Sequence, residues 1–180
     1  MKKASFYPVL VLVSITAAMA LLLSFVNAVT KGPIEEAAKE AKRQAVVKIF
    51  EGADTLEECT APEIDGIEAI YAVYVKGEHK GYAVEVAQSG GYGGVIDLTV
   101  GVALDGSVAG VVITGHNETA TVGGKIEGEG FRGSFIGLFA PVGIEDVDAI
   151  SGATISCKAA VRGVNAALEA VKMMTGGNAQ

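Results

Sequence analysis

Residues 4–30 contain no Asp, Glu, Lys or Arg. Inside this run, residues 6–26 read FYPVLVLVSITAAMALLLSFV. At ~1.5 Å rise per residue, a helix over that span is ~30 Å long, enough to cross the hydrocarbon core of a bilayer. Lys2 and Lys3 precede the run, which favours an N-terminus kept in the cytoplasm. Pro8 stands near its start, where a missing N–H costs least. The rival reading is a cleaved signal peptide, because Val26-Asn27-Ala28 has small-residue cleavage character. The apolar run is longer than a usual signal core, so an uncleaved anchor is the expectation. Under either reading the rest of the chain is expected outside the cytoplasm.

All 21 acidic residues follow the run, and the chain of 180 residues carries a formal charge of -7. An acidic surface repels phosphate backbones, which argues against nucleic-acid binding. Cys59 and Cys157 are too few for a disulfide framework or a Cys-rich zinc site, and they are expected as unpaired thiols. His79 and His116 leave little for a histidine metal cluster, so no metal site is expected.

Residues 33–50 follow as PIEEAAKEAKRQAVVKIF, in which Ile34, Ala37, Ala41, Ala45 and Ile49 recur at helical spacing. Pro33 suits a first helical position, which predicts a juxtamembrane helix packing on the domain. Residues 52–66 are polar and rich in turn formers, a connecting segment. The expected layout is therefore a cytoplasmic tip and anchor at 1–30, a juxtamembrane helix and connector at 31–66, and the main domain at 67–180. Short β segments are expected at 69–75 and 81–87, joined by a turn of Gly77-Glu78-His79-Lys80 that leaves His79 exposed. A hairpin follows. Ile96, Leu98, Val100 and Val102 alternate with Asp97, Thr99 and Gly101, and Asp105-Gly106 supplies a two-residue turn. That turn pairs Leu104 with Ser107, Val102 with Ala109, Val100 with Val111 and Leu98 with Ile113. Residues 155–174 carry Val161, Val164, Leu168 and Val171, a buried stripe on a final helix. Gly176-Gly177 stops it. Strands followed by a helix, with no βαβ alternation, predict an α+β domain: a twisted antiparallel sheet packed by helices.

Several motifs carry no chemistry in this context. Gly128-Glu129-Gly130-Phe131-Arg132-Gly133 spells G-x-G-x-x-G, but no strand leads into it and no βαβ unit surrounds it. Gly123-Gly124-Lys125-Ile126 lacks the spacing and hydroxyl of a phosphate loop. Asn117-Glu118-Thr119 fits a glycosylation pattern too short to be specific, and no serine or cysteine has an evident base partner.

The segment Asp148-Ala149-Ile150-Ser151-Gly152-Ala153-Thr154 lies where the chain turns into the last helix. Ser151 or Thr154 can cap that helix, and its first free N–H groups form an anion site suited to a phosphate. Read alone, an ordinary cap is the simpler account. The pattern Asp-x-x-Ser-Gly-Ala-Thr, however, resembles the flavinylation motif of the FMN-binding domain family. Two further segments agree in order and spacing over residues 90–172. Gly91-Tyr92-Gly93-Gly94 resembles the family's Gly-Tyr-Gly-Gly, and His116-Asn117-Glu118-Thr119 resembles the start of its His-x-Glu-Thr-Pro-Gly-Leu-Gly. The chain departs from the family at Ala120-Thr121-Val122-Gly123, where Pro-Gly-Leu-Gly is usual, and at Cys157, where a small hydroxyl residue is common.

The resemblance implies covalent FMN, joined by a flavin transferase through a phosphoester to the motif's last threonine, here Thr154. It implies that Asp148, Ser151, Gly152 and Ala153 form the rest of the motif. By the same resemblance Gly91, Tyr92, Gly93, Gly94, Glu118 and Thr119 lie near the flavin, the glycines letting backbone approach its flat ring. It implies an electron carrier with no catalytic residue of its own. This would be one component of a membrane complex that passes electrons between ferredoxin and NAD and moves sodium or protons. Its partners would be the other membrane subunits, and the chain would sit in the cytoplasmic membrane with one span. Two alternatives stand beside this: an FMN-domain carrier for another membrane or extracellular reductase, and a non-redox surface scaffold with a plain helix cap at Ser151.

Overall fold

The computed structural model describes residues 6–176, except the side chain of Glu35. Lys2 and Lys3, on which the expected orientation rests, and Gly177 of the expected helix stop lie outside the described residues. The first element, α1, runs from Tyr7 to Ile49 as one helix of 43 residues with Pro33 inside it. The expected break at Pro33 does not occur. Proline removes one rung, but the Ala-, Glu- and Lys-rich run after it favours helix. Among the described residues, α1 is the one helix long and apolar enough to cross a membrane. Its large apolar side chains, Leu10, Leu22 and Phe25 among them, are exposed rather than packed in protein.

Contacts divide the chain into two compact units, one ending at Glu40 and the other starting at Ala41. The second unit is α+β, as expected. Five strands, β1 (Thr55–Cys59), β2 (Ile67–Val75), β3 (Glu78–Gln88), β4 (Ile96–Ala103) and β5 (Val108–His116), form one sheet in sequence order. Every neighbouring pair is antiparallel. A short helix α2 (Glu129–Gly133) and two 3-10 turns (Gly123–Glu127 and Ile144–Asp146) lead to the long α3 (Thr154–Met174). The G-x-G-x-x-G letters fall on α2 and the residue before it.

Three details differ from the sequence reading. The connector contains β1, whose Thr-Leu-Glu-Glu-Cys pattern is almost wholly exposed, as suits an edge strand guarded by charge. The turn between β2 and β3 is the pair Lys76-Gly77, both at positive φ, so β3 starts at Glu78. His79 is therefore a half-buried strand residue, its ring 5.2 Å from Tyr74 and 4.8 Å from Tyr82. In the β4–β5 hairpin, Val100–Val111 and Leu98–Ile113 pair as expected, but a bulge between Gly101 and Val102 sets Val102 opposite Val108. The bulge brings Val108 into the main core and leaves Ala109 for the other face. Burying valine in place of alanine on the larger core is the favourable choice.

That core lies between one sheet face and α3. Ile70, Val84, Val86, Leu98, Val100 and Val102 meet Val161, Val164, Leu168 and Val171, the stripe expected from the sequence. Gly163 lets α3 come close: a Cβ there would stand 3.0 Å from Leu98 Cδ2. The opposite face carries a smaller cluster of Val46, Phe50, Val73 and Ala83. Here the last turns of α1 lie on the sheet over Gly101 and its cross-strand partner Gly110. Any Cβ on Gly101 would collide with Ile49 and Phe50. Of the expected stripe on this helix, Ala45 and Ile49 pack, whereas Ile34, Ala37 and Ala41 are exposed. Lys42 fixes the same turns through Nζ bonds to Glu68 Oε2 (2.9 Å) and Glu85 Oε2 (2.7 Å).

Candidate functional site

The site is built where α3 begins. Gly152, at φ +83, turns the chain, and Ala153 occupies the N-cap position. No side chain caps the helix. This corrects the expectation for Ser151 and Thr154: Ser151 stands two residues before the N-cap, and Thr154 is the first helical residue. The first-turn N–H groups are left to whatever occupies the space before them. That space is a cavity of about 400 Å³ lined by Tyr92, Glu118, Thr119, Val122, Gly123 and the run Gly152 to Ser156. Thr154 is exposed. Tyr92, Val122 and Ile155 are exposed apolar side chains on the cavity rim.

The structure gathers most of the expected residues into that cavity. Thr154, Gly152, Ala153, Tyr92, Glu118 and Thr119 line it, while Asp148, Ser151, Gly91, Gly93 and Gly94 do not. Asp148 is exposed, and its N–H donates to Ser134 Oγ at 3.1 Å. Gly91 and Gly94 close a tight turn, with Gly91 N–H donating to Gly94 O at 2.8 Å and carrying Tyr92 at its tip. A Cβ on Gly91 would stand 2.5 Å from Glu118 Oε1, and one on Gly93 would strike the backbone of Asn117. These two glycines thus make room for the Asn117–Glu118 segment.

Glu118 joins the walls of the cavity. Its Oε1 accepts the N–H of Gly93 at 3.1 Å, and its Oε2 accepts the hydroxyl of Ser156 at 2.8 Å. Its own backbone N–H donates to His116 Nδ1 at 3.0 Å. His116 Nε2 lies 3.0 Å from Glu127 Oε1, close but not aligned for a hydrogen bond. The Glu118 residue is 8% exposed and Ser156 1%, so the link between them is out of water. The loop that departs from the family, Ala120-Thr121-Val122-Gly123, is closed by the carbonyl of Thr119, which accepts N–H groups of Val122 and Gly124, each at 3.0 Å. Backbone bonds thus hold this loop in place. Farther along α3, Arg162 Nη2 donates to the carbonyls of Ser89 and Gly90, tying the helix to the glycine turn.

Val122, Gly123, Ile155 and Ser156 line the cavity without having been singled out as ligand contacts in the sequence. For Ser156 a signal existed: it lies two residues past Thr154, in the helix's first turn. Cys157 is buried in the core, where its Sγ accepts the N–H of Ile150 at 3.4 Å, and Cys59 is half-buried. Both are free thiols, as expected.

Comparison with known proteins gives the chain a family. The FMN-binding domain family model matches residues 91–169. The G subunit of the Na(+)-translocating ferredoxin:NAD(+) oxidoreductase complex of Acetobacterium woodii is 30% identical, over 89% of this chain and 88% of its own. The G subunit of the ion-translocating oxidoreductase complex of Methanosarcina acetivorans is 32% identical, over 93% of this chain and 95% of its own. Among solved structures, the C subunit of the Na(+)-translocating NADH-quinone reductase of Parabacteroides distasonis overlays with a TM-score of 0.48 at 22% identity, over 59% of this chain and 62% of that one.

Proposed function

Since the chain belongs to the G-subunit family of ion-translocating oxidoreductase complexes and carries an FMN-binding domain, we propose that it is the electron-carrying subunit of an Rnf-type ferredoxin:NAD(+) oxidoreductase complex. It holds FMN covalently, as a phosphoester of Thr154, in a domain outside the cytoplasm. The observation that carries this reading is the placement of Thr154. An exposed threonine stands first on an uncapped helix of 21 residues and lines a cavity with an apolar rim.

Each part of that arrangement has a chemical use. A phosphate esterified to Thr154 keeps one negative charge, which the helix terminus stabilises by about 0.3–1 kcal/mol. So small a gain would not keep a free nucleotide outside the cell, where dilution removes it, whereas a covalent bond does. Exposure of Thr154 lets a flavin transferase reach it, and Asp148, exposed and outside the cavity, is free to be read by that enzyme. Tyr92, Val122 and Ile155 give apolar area against which a flat ring can rest. Glu118, Thr119 and Gly123 form the opposing wall. Bound there, FMN supplies the electron-transfer chemistry, and the protein supplies orientation and field.

The same reading makes α1 the single anchor in the cytoplasmic membrane, with its N-terminus inside. No charged residue lies in residues 4–30, so this helix offers no path for an ion, and ion movement belongs to the partner subunits.

Thr154→Ala tests the assignment. It removes the nucleophilic oxygen and leaves the sheet and α3 intact. Co-produced with a flavin transferase, the variant should be folded, membrane-bound and dark under ultraviolet light in a denaturing gel, where wild type fluoresces. Fluorescence from the variant band, or a dark wild-type band, defeats the proposal.

A further inference from the structure

Among the described residues that line the cavity beside Thr154, Glu118 is the one with a charged side chain. Its two carboxylate hydrogen bonds come from neutral donors, the N–H of Gly93 and the hydroxyl of Ser156. Neither cancels its charge. Low exposure keeps solvent from screening it. A great deal of local structure is arranged around it. Gly91 and Gly123 both lack a Cβ where Glu118 carboxylate oxygens lie, and Gly123 also abuts Ser156 Oγ. The carboxylate bridges the turn that carries Tyr92, 25 positions back at Gly93, to the helix turn that carries Thr154, 38 positions on at Ser156.

Removing a charge from so enclosed a position would be the cheaper way to make a stable wall, since an apolar or amide side chain avoids the desolvation cost. We infer that Glu118 is a positioning residue that also sets the field of the site: it braces the cavity walls, and its negative charge keeps the reduction potential of a flavin bound at Thr154 low. The inference rests on the flavin reading above. Its physics is direct. Each electron delivered to the ring adds a negative charge, and a fixed negative charge in a poorly screened cavity opposes that addition.

Two variants of the full chain, flavin-loaded by co-production with the transferase and purified in detergent, separate charge from bracing. Glu118→Gln keeps the shape and removes the charge. At a fixed applied potential, its oxidised-to-reduced ratio, read by absorbance in a spectroelectrochemical cell, should fall about tenfold, equivalent to about 59 mV for a one-electron couple. Ser156→Ala keeps the charge and removes one donor that partly offsets it, so the ratio should rise. Shifts of opposite sign support the inference. Shifts of the same sign mean simple loosening of the cavity and overturn it, as does a Glu118→Gln protein with an unchanged ratio. Should Glu118→Gln fail to load, Ser156→Ala decides alone, and an unchanged or lowered ratio overturns the inference. A wild-type protein without colour is a different failure, since it removes the flavin reading itself.

Discussion

The two faces of the sheet are held by different means. On the α3 face, branched apolar side chains interlock over the whole strand length, and the helix is drawn in by Gly163 and flanking alanines. On the other face the last turns of α1 bring a cluster of only four buried apolar residues, Val46, Phe50, Val73 and Ala83. What area does not supply there, close approach and charge do: Gly101 and Gly110 let the side chains of Ile49 and Phe50 in, and Lys42 bridges Glu68 and Glu85. The first face resists change in volume, because its contacts are dense. The second depends on a few particular atoms, and a single added methyl or lost ammonium reaches most of what fastens it.

The contrast can be broken from either side. Leu98→Ala on the α3 face leaves a hole against Gly163 in the dense core and should cost about 3 kcal/mol, measured by urea denaturation in detergent followed by tyrosine fluorescence. If it costs under half of that, the core is softer than its packing implies. Gly101→Ala on the other face adds one methyl against Ile49 and Phe50 and should cost about 2 kcal/mol in the same assay, although alanine is ordinarily the better strand residue. A neutral result would mean that the α1 turns shift without loss.

Lys42→Met tests the ionic fastening and should cost about 1 kcal/mol near neutral pH, by leaving the mostly buried Glu85 without its partner. Burial opposes the Lys42 charge, but the hydrogen bonds it donates to Glu68 and Glu85, with their negative charges, outweigh it and raise its pKa above 10.5. Its contribution is therefore fully present below about pH 10.5 and is lost only above that, so the gap between wild type and variant should be flat from pH 6 to 9. Asp97→Asn should have the smallest effect, and of opposite sign. Burial, reinforced by Glu68 and opposed by Lys42, raises the Asp97 pKa above 3.8. The folded chain then binds this proton more tightly than the unfolded one, and wild type loses stability as pH rises from 3.8 through the raised value. The variant should be slightly more stable at neutral pH and equal to wild type in acid. A destabilised variant at pH 7 would show an Asp97 bond that outweighs its desolvation.

The two faces also differed in how plainly the sequence announced them. The α3 stripe of Val161, Val164, Leu168 and Val171 is periodic within one segment, so its burial could be read directly. The α1 seat is assembled from Gly101 and Gly110 on two strands and from Ile49 and Phe50 far upstream, and no local pattern marks it. β1 was missed because an exposed edge strand has no alternation to show. The hairpin register was right at Leu98 and Val100 and slipped at Val102, where burying Val108 favoured a bulge over a two-residue turn. At the site, the motif around Thr154 was legible because its residues are consecutive. The Glu118–Ser156 bond was not, since it joins distant segments. Gly91 and Gly93 were legible as glycines, but what crowds each of them, the Glu118 carboxylate and the Asn117 backbone, is visible only in three dimensions.

Strand order along the sheet repeats strand order along the chain. A polypeptide made from its N-terminus therefore never waits for a distant partner: each new strand finds the previous one already beside it, and loop closure stays short. α3 comes last and docks on β3 and β4 only after both exist. The cavity, drawn from residues between Tyr92 and Ser156, is completed at that final docking. Thr154, at the head of α3, thus reaches its final setting beside the cavity only on molecules that have finished folding.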